Sequence, residues 1–151
     1  MIIGFVCALV IIGLDQVTKH LVYGTISRSI IGNFLWFEST LNTGVAFSMF
    51  EGKSFLFFIV AIIASAVICY FICSKRWLKT KTERLALGFI LGGTVSNAID
   101  RLLFGGVRDF IYLKFINFAI FNIADIAITI GAILFCVGFI FLRDRKADDR
   151  T

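Results

Sequence analysis

The sequence contains no proline and little charge. Only 17% of its 151 residues are charged, whereas soluble domains carry about a quarter. Its four cysteines, Cys7, Cys69, Cys73 and Cys136, each lie inside an apolar run, and no CxxC pair is present. These features argue against a disulfide framework and a cysteine-based metal or redox site, so we interpret the cysteines as small buried hydrophobes.

The sequence is rich in long apolar runs. Hydrophobic residues make up 59% of the chain, with 18 phenylalanines, and the mean hydropathy is +0.94. Four segments, at about 2–23, 54–73, 85–104 and 118–142, each have about the twenty residues that a helix needs to cross roughly 30 Å of hydrocarbon. The sequence therefore predicts an all-α membrane protein, a single polytopic domain over residues 1–151 with four transmembrane helices.

The basic residues predict how these helices are oriented. The formal net charge is +5, but the basic residues form no stripe that would indicate nucleic-acid binding. Nine of them lie in the 75–84 loop and in the tail: Lys75, Arg76, Lys79, Lys81, Arg84, Arg143, Arg145, Lys146 and Arg150. Because basic segments stay in the cytoplasm, we expect both termini inside, and segments 24–53 and 105–117 outside.

The first outer segment, 24–53, has a composition typical of strands. Residues 30–37 are β-branched and aromatic around a turn signal at Gly32 and Asn33, and residues 34–47 would form one or two further strands. Trp36 and several phenylalanines favour the lipid headgroup level. We therefore expect a small extracytoplasmic β-rich loop between helices 1 and 2.

Four aspartates stand in or beside the apolar segments: Asp15, Asp100, Asp109 and Asp125. A carboxylate at the centre of a membrane helix costs about 2.5–3.5 kcal/mol on insertion scales, so each needs a reason. The predicted orientation places two late in outward-running helices, one in the outer connection and one early in the inward-running fourth helix. All four therefore converge on the outer leaflet.

Polar neighbours accompany these aspartates. The stretches 97–100 and 122–125 both read Asn-x-x-Asp, which on a helix would place amide and carboxylate on one face. Asp15 and Lys19 have the i,i+4 spacing of an ion pair. We expect Arg101, next to Asp100, to pair with it. Small residues at four-residue intervals, namely Gly88, Gly92 and Ser96, predict close packing of the third helix.

Clustered carboxylates suggest a particular chemistry. Two of them close together share a proton, so that one activates a water and the other acts as an acid, as in aspartic proteases. The lone His20 has no serine or cysteine partner at a plausible spacing, and ligands for zinc are lacking. No loop pattern supports magnesium or calcium. We expect neither a metal nor a cofactor.

Two other classes also place carboxylates in membrane helices. A small proton- or ion-coupled carrier would do so, but its polar residues usually spread across the membrane depth. A structural membrane subunit would tolerate paired aspartates, yet it would not need four at one level. The residues considered so far leave both alternatives open.

Five motifs resemble those of the lipoprotein signal peptidases (signal peptidase II), in that family's order. They are residues 15–19 (DQVTK), 42–47 (NTGVAF), 92–101 (GGTVSNAIDR), 106–110 (GVRDF) and 121–125 (FNIAD). The resemblance covers nearly the whole chain. It implies that Asp109 and Asp125 are the catalytic pair of an aspartic endopeptidase, with Asp100 as the nearest rival.

The resemblance also implies supporting residues, a substrate and a location. Substrate-binding or supporting residues would be Asp15, Lys19, Asn42, Gly44, Asn97, Asp100, Arg101 and Asn122. The substrate would be a diacylglyceryl-modified prolipoprotein, cut before its lipidated cysteine in the bacterial cytoplasmic (inner) membrane. Membrane lipids are the other expected partner, and no oligomer is required. The chain departs from the family at Ser96, usually glycine, and at Ala119 and Ile120, where a proline is missing.

Overall fold

A computed structural model describes residues 1–24, 27–44, 49–74, 76–78 and 80–148, with side chains described up to residue 140. The helices are α1 (Ile2–Val22), α2 (Ser54–Cys73), α3 (Lys81–Phe104) and α4 (Ile123–Asp148), and the strands are β1 (Arg28–Ile31), β2 (Leu35–Asn42) and β3 (Val107–Leu113). All four helices are long and apolar enough to cross a membrane, α4 through its stretch Ile123–Ile140. The predicted fold class is confirmed.

Helix α3 is the central helix and packs against the other three. Small residues on two of its faces permit close approach: a Cβ atom added at Gly92 would lie 2.8 Å from the Ala8 carbonyl oxygen of α1. A Cβ atom at Gly93 would overlap the Ala124 carbonyl oxygen of α4. The predicted packing role of the small-residue stripe is therefore confirmed, and α3 brings α1 and α4 together.

Helix α3 begins four residues earlier than predicted, at Lys81 rather than about 85. Its start is set by a capping box: the Thr80 hydroxyl accepts from the Glu83 backbone N–H at 3.1 Å, and the Glu83 carboxylate accepts from the Thr80 N–H at 2.9 Å. The predicted start missed these two residues because they precede the apolar run.

The third strand of the sheet was not predicted. The antiparallel order is β1-β2-β3, and β3 comes from the outer connection at 105–117, where no strand was predicted. Strand β3 pairs with β2 so that Asp109 lies opposite Thr40 and Arg108 opposite Leu41. The pairing lies between segments far apart in the chain, so local pattern alone did not reveal it.

The predicted start of the fourth helix is wrong. Residues 118–122 precede the helix, because the chain returns along β3 and uses its backbone groups there. The Ile111 N–H donates to the Phe121 carbonyl at 2.8 Å, and the Phe121 N–H donates to the Ile111 carbonyl at 3.0 Å. This bridge fixes the first turn of α4 beside the strand that carries Asp109.

Burial follows the pattern of a membrane protein, with polar groups inside and apolar groups outside. The largest fully buried side chains are Lys19, Ile72, Glu83, Asn122, Asp15, Asp100, Asp109 and Ser96. Leucine, isoleucine, valine and phenylalanine side chains of the helices are widely exposed, as lipid contact requires. The expectation that all cysteines are buried is wrong, since Cys73 and Cys136 lie on this outer surface.

Candidate active site

Asp109 and Asp125 are joined by one residue, Asn122. The Asn122 side-chain nitrogen Nδ2 donates to Asp109 Oδ1 at 2.5 Å. The Asn122 backbone N–H donates to Asp125 Oδ2 at 3.2 Å. The strand residue and the helix residue that the family resemblance implies as a pair therefore lie in one hydrogen-bonded group.

The Asn-x-x-Asp stretch at 122–125 is a helix cap rather than a helix face. Asn122 precedes α4, and its Oδ1 accepts from the Asp125 backbone N–H at 3.0 Å, while Asp125 accepts from Asn122 in return. The prediction of a shared helix face is wrong here, because the helix starts after Asn122. Asp125 thus lies in the first turn, where the free N–H groups favour a negative charge.

Two further asparagines donate to the pair. Asn42 Nδ2, on β2, donates to Asp109 Oδ2 at 3.2 Å, and Asn97 Nδ2, on α3, donates to Asp125 Oδ1 at 2.8 Å. Among the described residues, no lysine, arginine or histidine nitrogen lies within 4.0 Å of either carboxylate. The two carboxylates are held by amides, which supply hydrogen bonds without a counter-charge.

The other two aspartates are ion-paired. Lys19 Nζ lies 2.7 Å from Asp15 Oδ2 and 3.2 Å from Asp100 Oδ2, and all three side chains are fully buried. The predicted ion pair of Asp15 and Lys19 is confirmed. Lys19 also donates to Asn97 Oδ1 at 2.9 Å, which orients that amide so that its nitrogen points to Asp125.

The expected pairing of Asp100 with Arg101 is wrong. Asp100 instead binds Arg108: Nη2 lies 2.8 Å from Oδ1, and the backbone N–H of Arg108 donates to Oδ2 at 2.9 Å. Neighbouring residues on a helix point in different directions, so Arg101 faces elsewhere. It donates to the carbonyl oxygens of Asn97 and Gly44, at 3.4 Å and 3.2 Å.

Gly44 connects this arginine to the pair. Its N–H donates to Asn42 Oδ1 at 3.0 Å while its carbonyl accepts from Arg101. A Cβ atom at Gly44 would overlap the Met49 carbonyl oxygen, so a larger residue does not fit. Residues 45–47 of the same motif lie outside the described residues.

The side chain of Asp109 is only 2% exposed. This burial, and then the negative charge of Asp125, raise the pKa of Asp109 to about 7, against the opposing effects of hydrogen bonds from Asn42 and Asn122 and of the Lys19 charge. The pair therefore retains a proton at pH values where an ordinary aspartate has lost it.

The formal charges of the buried cluster also favour a retained proton. The cluster holds four carboxylates (Asp15, Asp100, Asp109 and Asp125) against three cations (Lys19, Arg101 and Arg108). Fully ionised, it carries 3 − 4 = −1, so a single proton makes it neutral. Because an unbalanced charge is costly in a poorly hydrated site, the cluster favours a state with one bound proton.

A cavity of about 710 Å³ opens onto the pair. Its polar lining is Asn42, Asn97, Arg101, Asp109 and Asp125 together with two threonines, and most of the remaining lining is apolar, from α4 and from the 113–121 segment. The cavity wall is therefore apolar except beside the two carboxylates.

Three residues of the network were not predicted as site residues. Gln16 donates to Asp100 Oδ1 at 2.9 Å, Ser96 donates to Asp15 Oδ2 at 2.7 Å, and Arg108 forms the ion pair described above. Each stands next to a predicted residue in its motif, which was the available signal. The hydroxyl at Ser96, where the family usually has glycine, is thus buried with a partner.

The chain is similar to known proteins over nearly its whole length. A family model described as signal peptidase (SPase) II matches residues 7–141. The lipoprotein signal peptidase of Enterococcus faecalis (strain ATCC 700802 / V583) is 35% identical over 97% of this chain and 92% of its own length. That of Shouchella clausii (strain KSM-K16) is 41% identical over 97% and 99%. A solved bacterial membrane enzyme superposes with a TM-score of 0.81 at 34% identity, covering 94% of this chain and 88% of its own.

Proposed function

Because the chain belongs to the signal peptidase II family, it is a protease that removes signal peptides from prolipoproteins, and we propose that Asp109 and Asp125 are its catalytic pair. One observation carries the choice of pair. Of the four clustered aspartates, these two line the cavity and contact amides, whereas Asp15 and Asp100 are held by Lys19 and Arg108. A carboxylate in a permanent ion pair is a poor proton carrier, so Asp100 is assigned to support.

The proposed reaction is a hydrolysis by general base and general acid. The ionised carboxyl group of the pair removes a proton from water, and the water oxygen attacks the carbonyl carbon of the scissile peptide bond. The protonated carboxyl group donates to the carbonyl oxygen. The carboxyl group that took the proton from water then passes it to the leaving nitrogen, and the C–N bond breaks. As the tetrahedral intermediate collapses to the carboxylic acid product, one of its hydroxyl groups returns a proton to the pair, which again holds one.

The supporting residues hold this geometry. Asn42, Asn97 and Asn122 each donate to a carboxylate of the pair and thereby orient it. Lys19 and Asp15 anchor α1, and Arg101 presents a positive charge to the cavity. Gly44 places the loop after β2 against Arg101.

The apolar wall of the cavity supports a lipid-bearing substrate. Side chains such as Ile126 and Ile130 on α4, and Ile116 and Phe118 after β3, would contact an apolar signal peptide and acyl chains. We propose cleavage immediately before a cysteine that carries diacylglycerol. A carrier is not favoured, because the buried ion pairs of Lys19 and Arg108 lie beside the proposed catalytic pair rather than along the helices. The other fully buried carboxylate, Glu83, caps the opposite end of α3.

We expect the purified protein to cut a diacylglyceryl-modified prolipoprotein at the bond before the lipidated cysteine. The same prolipoprotein without the lipid should be cut at least about tenfold more slowly, because each buried methylene group contributes about 0.8 kcal/mol. Mass spectrometry of both products measures the site and the rate. Equal rates for the two substrates would contradict the proposed role of the lipid.

The proposed orientation follows from the basic 75–84 loop. We propose that the protein lies in the bacterial inner membrane with this loop and both termini in the cytoplasm. The sheet and the catalytic pair then face the extracytoplasmic side, where the acyl chains of a translocated substrate lie.

Cysteine labelling tests this orientation. In a variant without the four native cysteines, Arg76→Cys should resist a membrane-impermeant maleimide in intact cells, and Asn33→Cys should react. Both positions are exposed, so both should react after permeabilisation, which controls for accessibility. The reverse pattern in intact cells would place the pair on the cytoplasmic side and contradict the orientation.

A further inference from the structure

Arg108 joins strand β3 to helix α3 directly beside the catalytic pair. Its Nη2 donates to Asp100 Oδ1 at 2.8 Å and to Gln16 Oε1 at 2.9 Å, and its Nε donates to Asp100 Oδ2 at 3.3 Å. The guanidinium carbon lies 4.1 Å from the centre of the Phe104 ring. Only 7% of the residue is exposed. A buried arginine with this many fixed contacts is a rigid attachment point.

The position of Arg108 in the strand makes this attachment relevant to catalysis. Consecutive side chains of a strand point to opposite faces, so Arg108 reaches α3 and α1 while Asp109 reaches Asn42 and Asn122. The backbone N–H of Arg108 also donates to Asp100. The two contacts together fix the backbone from which the Asp109 side chain extends.

The charge of Arg108 also enters the balance around the pair. The charged groups around the pair come from four elements: Asp15 and Lys19 on α1, Asp100 and Arg101 on α3, Asp125 on α4, and Arg108 on the opposite face of β3 from Asp109. The neighbours of the cavity on α2 and β2, Ala61 and Asn42, are neutral. Without Arg108 the ionised cluster would carry −2 instead of −1, and a second proton would be needed for neutrality.

Resting on the catalytic pair proposed above, we infer that Arg108 is a positioning residue: its guanidinium, bound to Asp100, holds β3 so that Asp109 meets Asn122, and supplies the positive charge that leaves the pair with a single proton. The bond that breaks and the groups that react are unchanged. The role concerns where Asp109 stands and how many protons the cluster holds.

The pH dependence of kcat/KM tests both parts of this role. As pH rises, the pair loses its last proton, so wild-type kcat/KM should decrease with a midpoint near pH 7, in line with the raised pKa of Asp109. This descending part of the pH profile is called the limb below. In Arg108→Met the limb should move up by roughly half a unit to one unit, since a lost positive charge at an effective dielectric constant of about 20 favours proton retention. Turnover should also fall several-fold at unchanged KM.

Arg108→Lys separates charge from geometry, because lysine keeps the charge but loses the two-pronged contact. Its limb should stay at the wild-type pH while kcat falls. Arg28→Met, on exposed β1 of the same sheet, is the matched control and should change neither quantity. If Arg108→Met does not fold, Arg108→Met combined with Asp100→Asn removes both charges, restores the count of −1 and should show the wild-type limb.

An unmoved limb in Arg108→Met would overturn the electrostatic part, and wild-type kcat in both Arg108 variants would overturn positioning. A shifted limb in the double variant would overturn the charge count. Asp109→Asn is assayed alongside to separate the two proposals. If Asp109→Asn is inactive while the Arg108 variants behave as wild type, only the role of Arg108 fails; if Asp109→Asn still cleaves, the catalytic pair itself is wrong.

Discussion

Lys19→Met should lower the free energy of unfolding by about 3–5 kcal/mol, as expected when one partner of a buried ion pair is removed. Lys19 is fully buried between Asp15 and Asp100, and its third contact is Asn97. Methionine fills much of the same space without the charge. Two carboxylates would then face each other with Arg108 as the remaining contacting cation. Thermal unfolding in detergent, together with abundance in the membrane, measures the loss.

Two further variants show whether charge or packing is responsible. Lys53→Met alters an exposed lysine at the start of α2 and should change stability by no more than about 0.5 kcal/mol. Lys19→Met combined with Asp15→Asn removes an opposite charge together with the cation and should recover part of the loss. Wild-type melting by Lys19→Met alone would mean that this ion-pair network does not stabilise the helix bundle.

The helices could be predicted because a bilayer imposes their length. Apolar runs of about twenty residues predicted both ends of α1 and α2 to within one residue. For α3 they predicted the C-terminal end correctly. The pairing of Asp15 with Lys19 was also predictable, since i,i+4 spacing on a helix leaves little choice of neighbour. These features depend on residues close together in the chain.

Features that depend on distant residues were missed. Strand β3 forms by pairing with β2, and Phe121 forms a backbone bridge with Ile111 of β3. Neither pairing has a signal in the nearby sequence. The late start of α4 follows from the bridge at Phe121. Its N-terminal Asn122 then caps the helix, although the same spacing also fits a helix face.

The expected contact of Arg101 with Asp100 failed for a local reason. Adjacent residues on a helix do not face each other, so sequence proximity was the wrong criterion. The partner of Asp100 came from the next element, at Arg108, seven residues beyond Arg101 in the chain. The network residues that were outside the predicted set, Gln16, Ser96 and Arg108, each lie within one of the five motifs.

Replacing either aspartate of the pair by asparagine should abolish cleavage. An amide can neither hold the shared proton nor activate water, so Asp109→Asn and Asp125→Asn should each lose about 10²–10⁴-fold in turnover or more. Folding should survive. Because folding raises the pKa of Asp109 from its ordinary value of 3.8 to about 7, this carboxyl group lowers the stability of the fold progressively as pH rises between those two values, and the full loss is present at pH 8. Asp109→Asn does not ionise and should therefore melt no lower than wild type at pH 8.

Asp100→Asn is the matched control. Asp100 is the other aspartate considered for the catalytic pair, and the substitution again replaces one carboxylate oxygen by an amide nitrogen. It removes an acceptor of Lys19 and Arg108, so it should lower the melting temperature while leaving measurable cleavage by the folded fraction. The decisive measurement is single-turnover cleavage of a lipidated prolipoprotein by the three variants at equal folded concentration. We expect no product from Asp109→Asn and Asp125→Asn and residual product from Asp100→Asn; cleavage by Asp109→Asn, with a folded and inactive Asp100→Asn, would contradict the assignment.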